Sequence, residues 1–131
     1  MATIKVDVIE IMGHQMKRLK GIEKELKDVI NIGRLENNDI TTTDPVFSDV
    51  HGRIYLEKGV FTAHLDYEDF SETGTTIIHW NDDSTCKKVH LRGHEKPVKK
   101  KIKQGDWIVI TRAMDGGSRL RYGFILVPYV Y

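Results

Sequence analysis

The sequence predicts an α+β protein: an N-terminal amphipathic helix followed by a small five-stranded antiparallel β-barrel. Three observations predict it. Apolar residues in the first 30 positions recur in steps of three and four, which places them on one stripe of a helix. From about Arg53 the period changes to two, the spacing of a half-buried strand. Turn residues then separate five short strands, too few for two large sheets and suited to a closed or nearly closed barrel.

The helical stripe is Val8, Met12, Met16, Leu19, Ile22, Leu26, Val29 and Ile30. Lys17, Lys20, Lys24 and Lys27 mark the opposite face, Glu23 precedes Lys27 by one turn, and Gly33 suits a C-cap. Val8, Met12, Gln15, Leu19, Ile22, Leu26 and Val29 also follow heptad a/d spacing, with Gln15 as a register-setting polar position. Met12, Leu19, Ile22, Leu26 and Val29 are therefore the candidate residues for homo-oligomerisation through this helix. Two features oppose the helix. Gly13 and Gly21 would each cost about 1 kcal/mol in its interior, and Ile4, Val6 and Val8 alternate as in a short strand.

The stretch from Arg34 to Gly52 is rich in Asn, Asp, Thr and Gly and contains Pro45, as a linker would be. It divides the chain into a helical segment with linker, residues 1–44, and a barrel domain, residues 45–131. In the barrel, Phe61, Ala63, Leu65 and Tyr67 alternate against Val60, Thr62, His64 and Asp66. The stretches "TTIIHWNDD", "CKKVHLRG", "GDWIVITRAM" and "RLRYGFILVPYV" supply the other strands, and "SETG", "NDDS" and "DGGS" the turns. Pro128 suggests that the last strand ends there or lies at an edge.

Composition narrows the function classes. No apolar run is long enough to span a bilayer, and the N-terminus lacks the pattern of a secretory signal. Cys86 is the single cysteine, so no internal disulfide can form and a reducing, cytoplasmic location is expected. The formal charge is +1 but unevenly spread: residues 36–85 carry two basic and eleven acidic side chains, and residues 86–112 nine basic and two acidic. Such asymmetry predicts a surface with a positive and a negative side.

The positive side has the chemistry of a single-strand nucleic-acid surface, where lysines neutralise phosphates and aromatic rings stack bases. Lys87, Lys88, His90, Arg92 and His94 precede a turn, and Lys99, Lys100, Lys101 and Lys103 follow it. On the neighbouring strand His79 and Trp80 point to opposite faces. Trp80 shares a face with Ile78, which favours Trp80 in the core and His79 on the surface.

The order "KKVHLRG", "KPVKKKIKQGDWIVITR" and "RYGFILVPYV" resembles the OB-fold of the translation initiation factor 1 and 1A family. There, a hydrophobic-Arg-Gly step leads into a basic loop, and a Gly-Asp pair opens the next apolar strand. The match covers roughly residues 60–130 and is firmest over Lys87–Arg112. The resemblance implies an OB-like barrel that binds single-stranded RNA or another anionic nucleic acid. On the matching positions it implies contacts from Lys87, Lys88, His90, Arg92, Lys99, Lys100 and Lys101. Arg112 would sit at the rim, and Arg119 and Arg121, which share a face, would extend the patch along with His79.

No other chemistry stands out. Cys86, His90 and His94 fit no standard zinc spacing, and Asp66, Glu68, Asp69 and Glu72 read as a solvated hairpin end. No glycine-rich phosphate fingerprint or nucleophile-base pair with a third group is present. The chain is expected to be a binding protein without enzymatic activity, metal or cofactor. The alternative expectation is an oligomeric protein of the small viral-inhibitor type that captures an anionic nucleotide or a partner protein.

Overall fold

The computed structural model describes residues 3–13, 15–25, 29–41, 46–58, 63–72, 74–92, 96–113 and 121–130. Among them there is no helix. Ten strands run in chain order: β1 (Thr3–Met12), β2 (Gln15–Glu25), β3 (Ile30–Ile32), β4 (Gly52–Lys58), β5 (Ala63–Asp69), β6 (Thr75–Trp80), β7 (Cys86–Leu91), β8 (Val98–Ile102), β9 (Trp107–Ala113) and β10 (Arg121–Val130). They form a six-stranded sheet, β2-β1-β10-β9-β6-β7, and a four-stranded sheet, β3-β4-β5-β8. The sheets do not close into a barrel. They face each other as a sandwich across one core, to which Ile4, Val6, Ile108, Ile110, Phe124 and Leu126 project from the larger sheet and Ile30, Ile54, Leu65 and Tyr67 from the smaller.

The predicted N-terminal helix is therefore a β-hairpin, β1–β2, that turns at Gly13 (φ 62°). The reason lies in β1. Ile4, Val6 and Val8 pack into the core on one face. Ile9 and Ile11 pack with Ile125 and Val127 on the other. A strand that is apolar on both faces loses its period of two, and apolar residues drawn from both faces imitate helical spacing. The β-branched residues of Thr3–Met12 favour the extended chain. Along β2 the pairing shifts between Val6↔Ile22 and Val8↔Leu19, so Lys20 and Gly21 bulge opposite Asp7. Met12, Leu19 and Ile22 thus lie on strands and Val29 just before β3, so no helical stripe joins them. Leu26 lies outside the described residues.

The remaining predicted strands coincide with β6, β7, β9 and β10, but the first is two strands, β4 and β5, paired from Gly52↔Asp69 to Lys58↔Ala63. The basic run read as a loop contains β8, which pairs with β5 from Leu65↔Ile102 to Asp69↔Val98. Pro128 does not end β10; it pairs with Val6 inside it. Its missing N–H costs no ladder bond, because pairing with β9 has stopped at Leu126↔Ile108 and the Pro128 carbonyl accepts from the Gly105 N–H at 2.9 Å. The β3–β4, β5–β6 and β7–β8 connections all meet at one end of the sandwich.

Candidate functional site

Of the stretch read as a linker, Arg34 to Gly52, the described residues 34–41 and 46–51 form a loop that clasps itself between β3 and β4. The Arg34 N–H donates to the Ser48 carbonyl at 3.0 Å, and the Leu35 N–H to the Asp49 carbonyl at 3.3 Å. Gly33 allows this approach, because a Cβ there would collide with the Asp49 carbonyl oxygen. A pocket of about 390 Å³ opens beside the clasp, lined by Arg34, Ser48, Asp49, Val50, Phe70 and Glu72. Phe70 is braced by the Arg53 guanidinium, 4.9 Å from its ring centroid.

The polar groups at this pocket are placed for an anion. Arg34 gives Nε (3.2 Å) and Nη2 (2.9 Å) to one oxygen of Asp49. That leaves Nη1 of the guanidinium without a partner among the described residues. Ser48 Oγ accepts the Glu72 N–H at 3.0 Å, so its own proton is free to donate. Arg92 reaches over from the β7–β8 connection and donates Nε to the Glu72 carbonyl at 2.8 Å. A guanidinium fork beside a hydroxyl donor is a common arrangement for a phosphate or carboxylate.

Beneath the pocket lies a buried polar chain. The Ser48 N–H donates to His51 Nδ1 (3.1 Å), His51 Nε2 meets Thr75 Oγ1 (2.8 Å), and Thr75 Oγ1 donates to Asp69 Oδ1 (2.7 Å). Tyr67 Oη donates to Asp69 Oδ1 at 2.9 Å, and Ser71 Oγ to Oδ2 at 2.7 Å. These donors satisfy a fully buried carboxylate that would otherwise be costly. Burial lowers the His51 pKa to about 4, with the Asp69 charge opposing the shift. The Tyr67 hydroxyl is pushed well above its usual range, by burial first and then by Asp69. Gly52 sits against Tyr67, whose hydroxyl occupies the space a Cβ would need.

No family model matches the chain, and no curated protein sequence does. Solved structures do match. Full-length yeast Pml1p aligns at a TM-score of 0.59 and 11% identity, over 96% of this chain and 83% of that one. The FHA domain of the CT664 protein from Chlamydia trachomatis aligns at 0.53 and 15%, over 95% and 98%. The fold is FHA-like. A third match is a phosphotyrosine-binding domain containing the FHA2 domain of Rad53, at 0.57 and 14%, over 96% and 67%.

An FHA-like sandwich replaces the expected OB barrel and removes the ground for single-stranded RNA as the ligand. The basic segment has a different setting. Lys87, Lys88 and His90 lie on β7, and Lys99, Lys100 and Lys101 on β8, each the outer strand of its sheet. Lysine on an edge strand discourages pairing with another chain, which accounts for the charge without a nucleic acid. Lys99 is engaged by Glu57 (3.2 Å) and Asp66 (3.9 Å) and lies 4.8 Å from the Tyr55 ring centroid. His90 Nδ1 meets Thr76 Oγ1 at 2.7 Å.

Of the residues predicted for the site, none lines the anion-suited pocket; Arg92 comes nearest, through its bond to the Glu72 carbonyl. His79 is half-buried against Asp106, 2.6 Å away, while Trp80 is 43% exposed and stacks edge-on with Trp107, the reverse of the expected orientation. Arg112 lies on β9 and Arg121 on β10, and Arg119 lies outside the described residues, as do His94 and Phe61. Among the described residues no group of three or more His, Cys, Asp or Glu is placed to hold a metal ion. Among them, too, no helix is long and apolar enough to cross a membrane.

Sequence reasoning missed Arg34, Ser48, His51 and Thr75. The available signal was length: a structureless connection of 19 residues inside a compact domain, Arg34 to Gly52, is more often a functional loop than a linker.

Proposed function

We propose that the chain is a phosphopeptide-binding module that takes up a phosphorylated segment of a partner protein at the loop end of the sandwich. One observation carries the reading: the unspent Nη1 of Arg34 and the free hydroxyl proton of Ser48 converge on one open pocket. A phosphate offers three acceptor oxygens and about two charges, and an Arg fork with a hydroxyl donor complements it in geometry as well as sign. Arginine-based capture of phosphorylated motifs is an established recognition mode that includes FHA domains. The FHA2-containing domain of Rad53, similar in fold, is described as phosphotyrosine-binding. The likeness is one of fold, so the pocket itself is the stronger support.

The role proposed is binding rather than catalysis. Among the described residues no base meets the Ser48 hydroxyl; His51 Nδ1 accepts from the Ser48 backbone instead. A reducing cytoplasmic setting suits the lone thiol of Cys86.

The test is fluorescence anisotropy with one labelled peptide sequence in three forms: phosphothreonine, phosphotyrosine and unmodified. At least one phosphorylated form should bind about tenfold or more tightly than the unmodified peptide, a difference of about 1.4 kcal/mol. Arg34→Ala should abolish that difference. Equal binding of all three forms overturns the proposal.

A further inference from the structure

The pocket contains acids as well as a base, and one acid has no cationic partner among the described residues. Of the charged residues that line it, Arg34 is positive and Asp49 and Glu72 are negative, and Asp49 is already committed to Arg34 at 2.9 Å. Glu72 is different. Its N–H is tied to Ser48 Oγ and its carbonyl to Arg92 Nε, so the backbone is held on both sides. Its side chain is exposed and lines the pocket, and its carboxylate meets no cation among the described residues. A site evolved only for a dianion would gain nothing from an unpaired carboxylate at its wall, which repels the ligand.

We propose that this pocket selects a phosphorylated segment that carries a lysine or arginine next to the phosphoresidue, with Glu72 as the acceptor for that cation. The inference rests on the phosphopeptide reading above and specifies its ligand. Arg34 and Ser48 hold the phosphate, and Glu72 takes the neighbouring positive charge. An acidic neighbour is rejected by the same carboxylate, so attraction and repulsion both contribute to selectivity. Because Glu72 is exposed, each effect is small and screened by salt. Together they predict a preference of about tenfold for a basic over an acidic neighbour at low ionic strength.

The experiment uses the full chain and peptides that carry either phosphothreonine or phosphotyrosine and differ only by Lys or Glu at one position, scanned from three residues before the phosphoresidue to three after. The wild type should prefer Lys by about tenfold at one position or more, and the preference should shrink as salt is raised. Glu72→Gln should reduce that ratio to about threefold or less, and Glu72→Lys should invert it. Arg34-dependent binding with no Lys preference at any position overturns this inference and leaves the phosphopeptide reading intact. A preference that survives Glu72→Lys also overturns it. If no phosphopeptide binds, both readings fail.

Discussion

The Ser48 backbone N–H donates to His51 Nδ1 at 3.1 Å, and this contact fixes the state of the imidazole. A nitrogen that accepts carries no proton, so the hydrogen-bond network assigns it to Nε2, which donates to Thr75 Oγ1 at 2.8 Å. The loop that presents Ser48 is thus anchored through His51 and Thr75 to Asp69 at the end of β5. The loop that carries Ser48 is held by a buried relay beneath it.

Acid should loosen this anchor. Burial holds the His51 pKa at about 4 against 6.5 in the unfolded chain. Between those values the unfolded chain binds the proton and the folded one does not, so stability declines as pH falls through that window. The full loss is roughly 3 kcal/mol and is complete below about pH 4. Urea melts at pH 7, 5.5 and 4 should show the decline, and His51→Gln should flatten it. A wild type equally stable at pH 7 and 4 contradicts the assignment.

Thr75→Val should destabilise the fold by about 1–3 kcal/mol. The valine removes a donor to Asp69 and the acceptor of His51 while keeping the side-chain shape. Thr75→Ser retains the hydroxyl and should recover most of the loss. Thermal melts of the three proteins decide this; a valine variant as stable as wild type would show that the relay adds nothing.

Gly33→Ala and Gly52→Ala should fail in different ways. A Cβ at Gly33 meets the Asp49 carbonyl, so the clasp must open, and phosphopeptide affinity should drop with a smaller change in melting temperature. A Cβ at Gly52 meets the buried Tyr67 hydroxyl and disturbs the core network, so stability should fall first, by about 1–3 kcal/mol. Paired melting and anisotropy measurements separate the two.

Lys99→Glu should leave phosphopeptide affinity within about twofold of wild type, because an exposed charge outside the pocket has little effect on it. It places a fourth carboxylate beside Glu57, Asp66 and Glu68 and should lower the melting temperature. It should also promote association by removing positive charge from the edge strand β8. A large loss of peptide binding in a folded Lys99→Glu protein would relocate the site to the basic edge.

Some of the fold was readable locally. β6, β9 and β10 coincide with apolar stretches bounded by turn residues, and β7 shows its alternation directly, with Val89 and Leu91 turned inward from Lys88 and His90. β1 was obscured because its two faces pack against different clusters, one inside the sandwich and one on its outer surface. β8 was obscured by charge: Lys99, Lys100 and Lys101 read as a loop, and only pairing with β5 supplies the ladder that makes them a strand. In the site, Arg34 and Ser48 lay within a stretch whose Asn, Asp and Thr content suited a linker equally well.

Local chemistry therefore determined the "NDDS" turn, four of the strands, the absence of an internal disulfide and the uneven spread of charge, since each depends on neighbouring residues alone; the "DGGS" stretch lies outside the described residues. The choice of sandwich over barrel, of hairpin over helix, and the meeting of Arg34, Ser48 and Glu72 at one pocket were decided by the tertiary structure. Sheet order and loop convergence depend on pairings between residues far apart in the chain, such as Ile4↔Val130 and Tyr67↔Lys100. Those pairings form where burial of both partners outweighs the entropy of closing the loop between them, a balance that no short window of sequence contains.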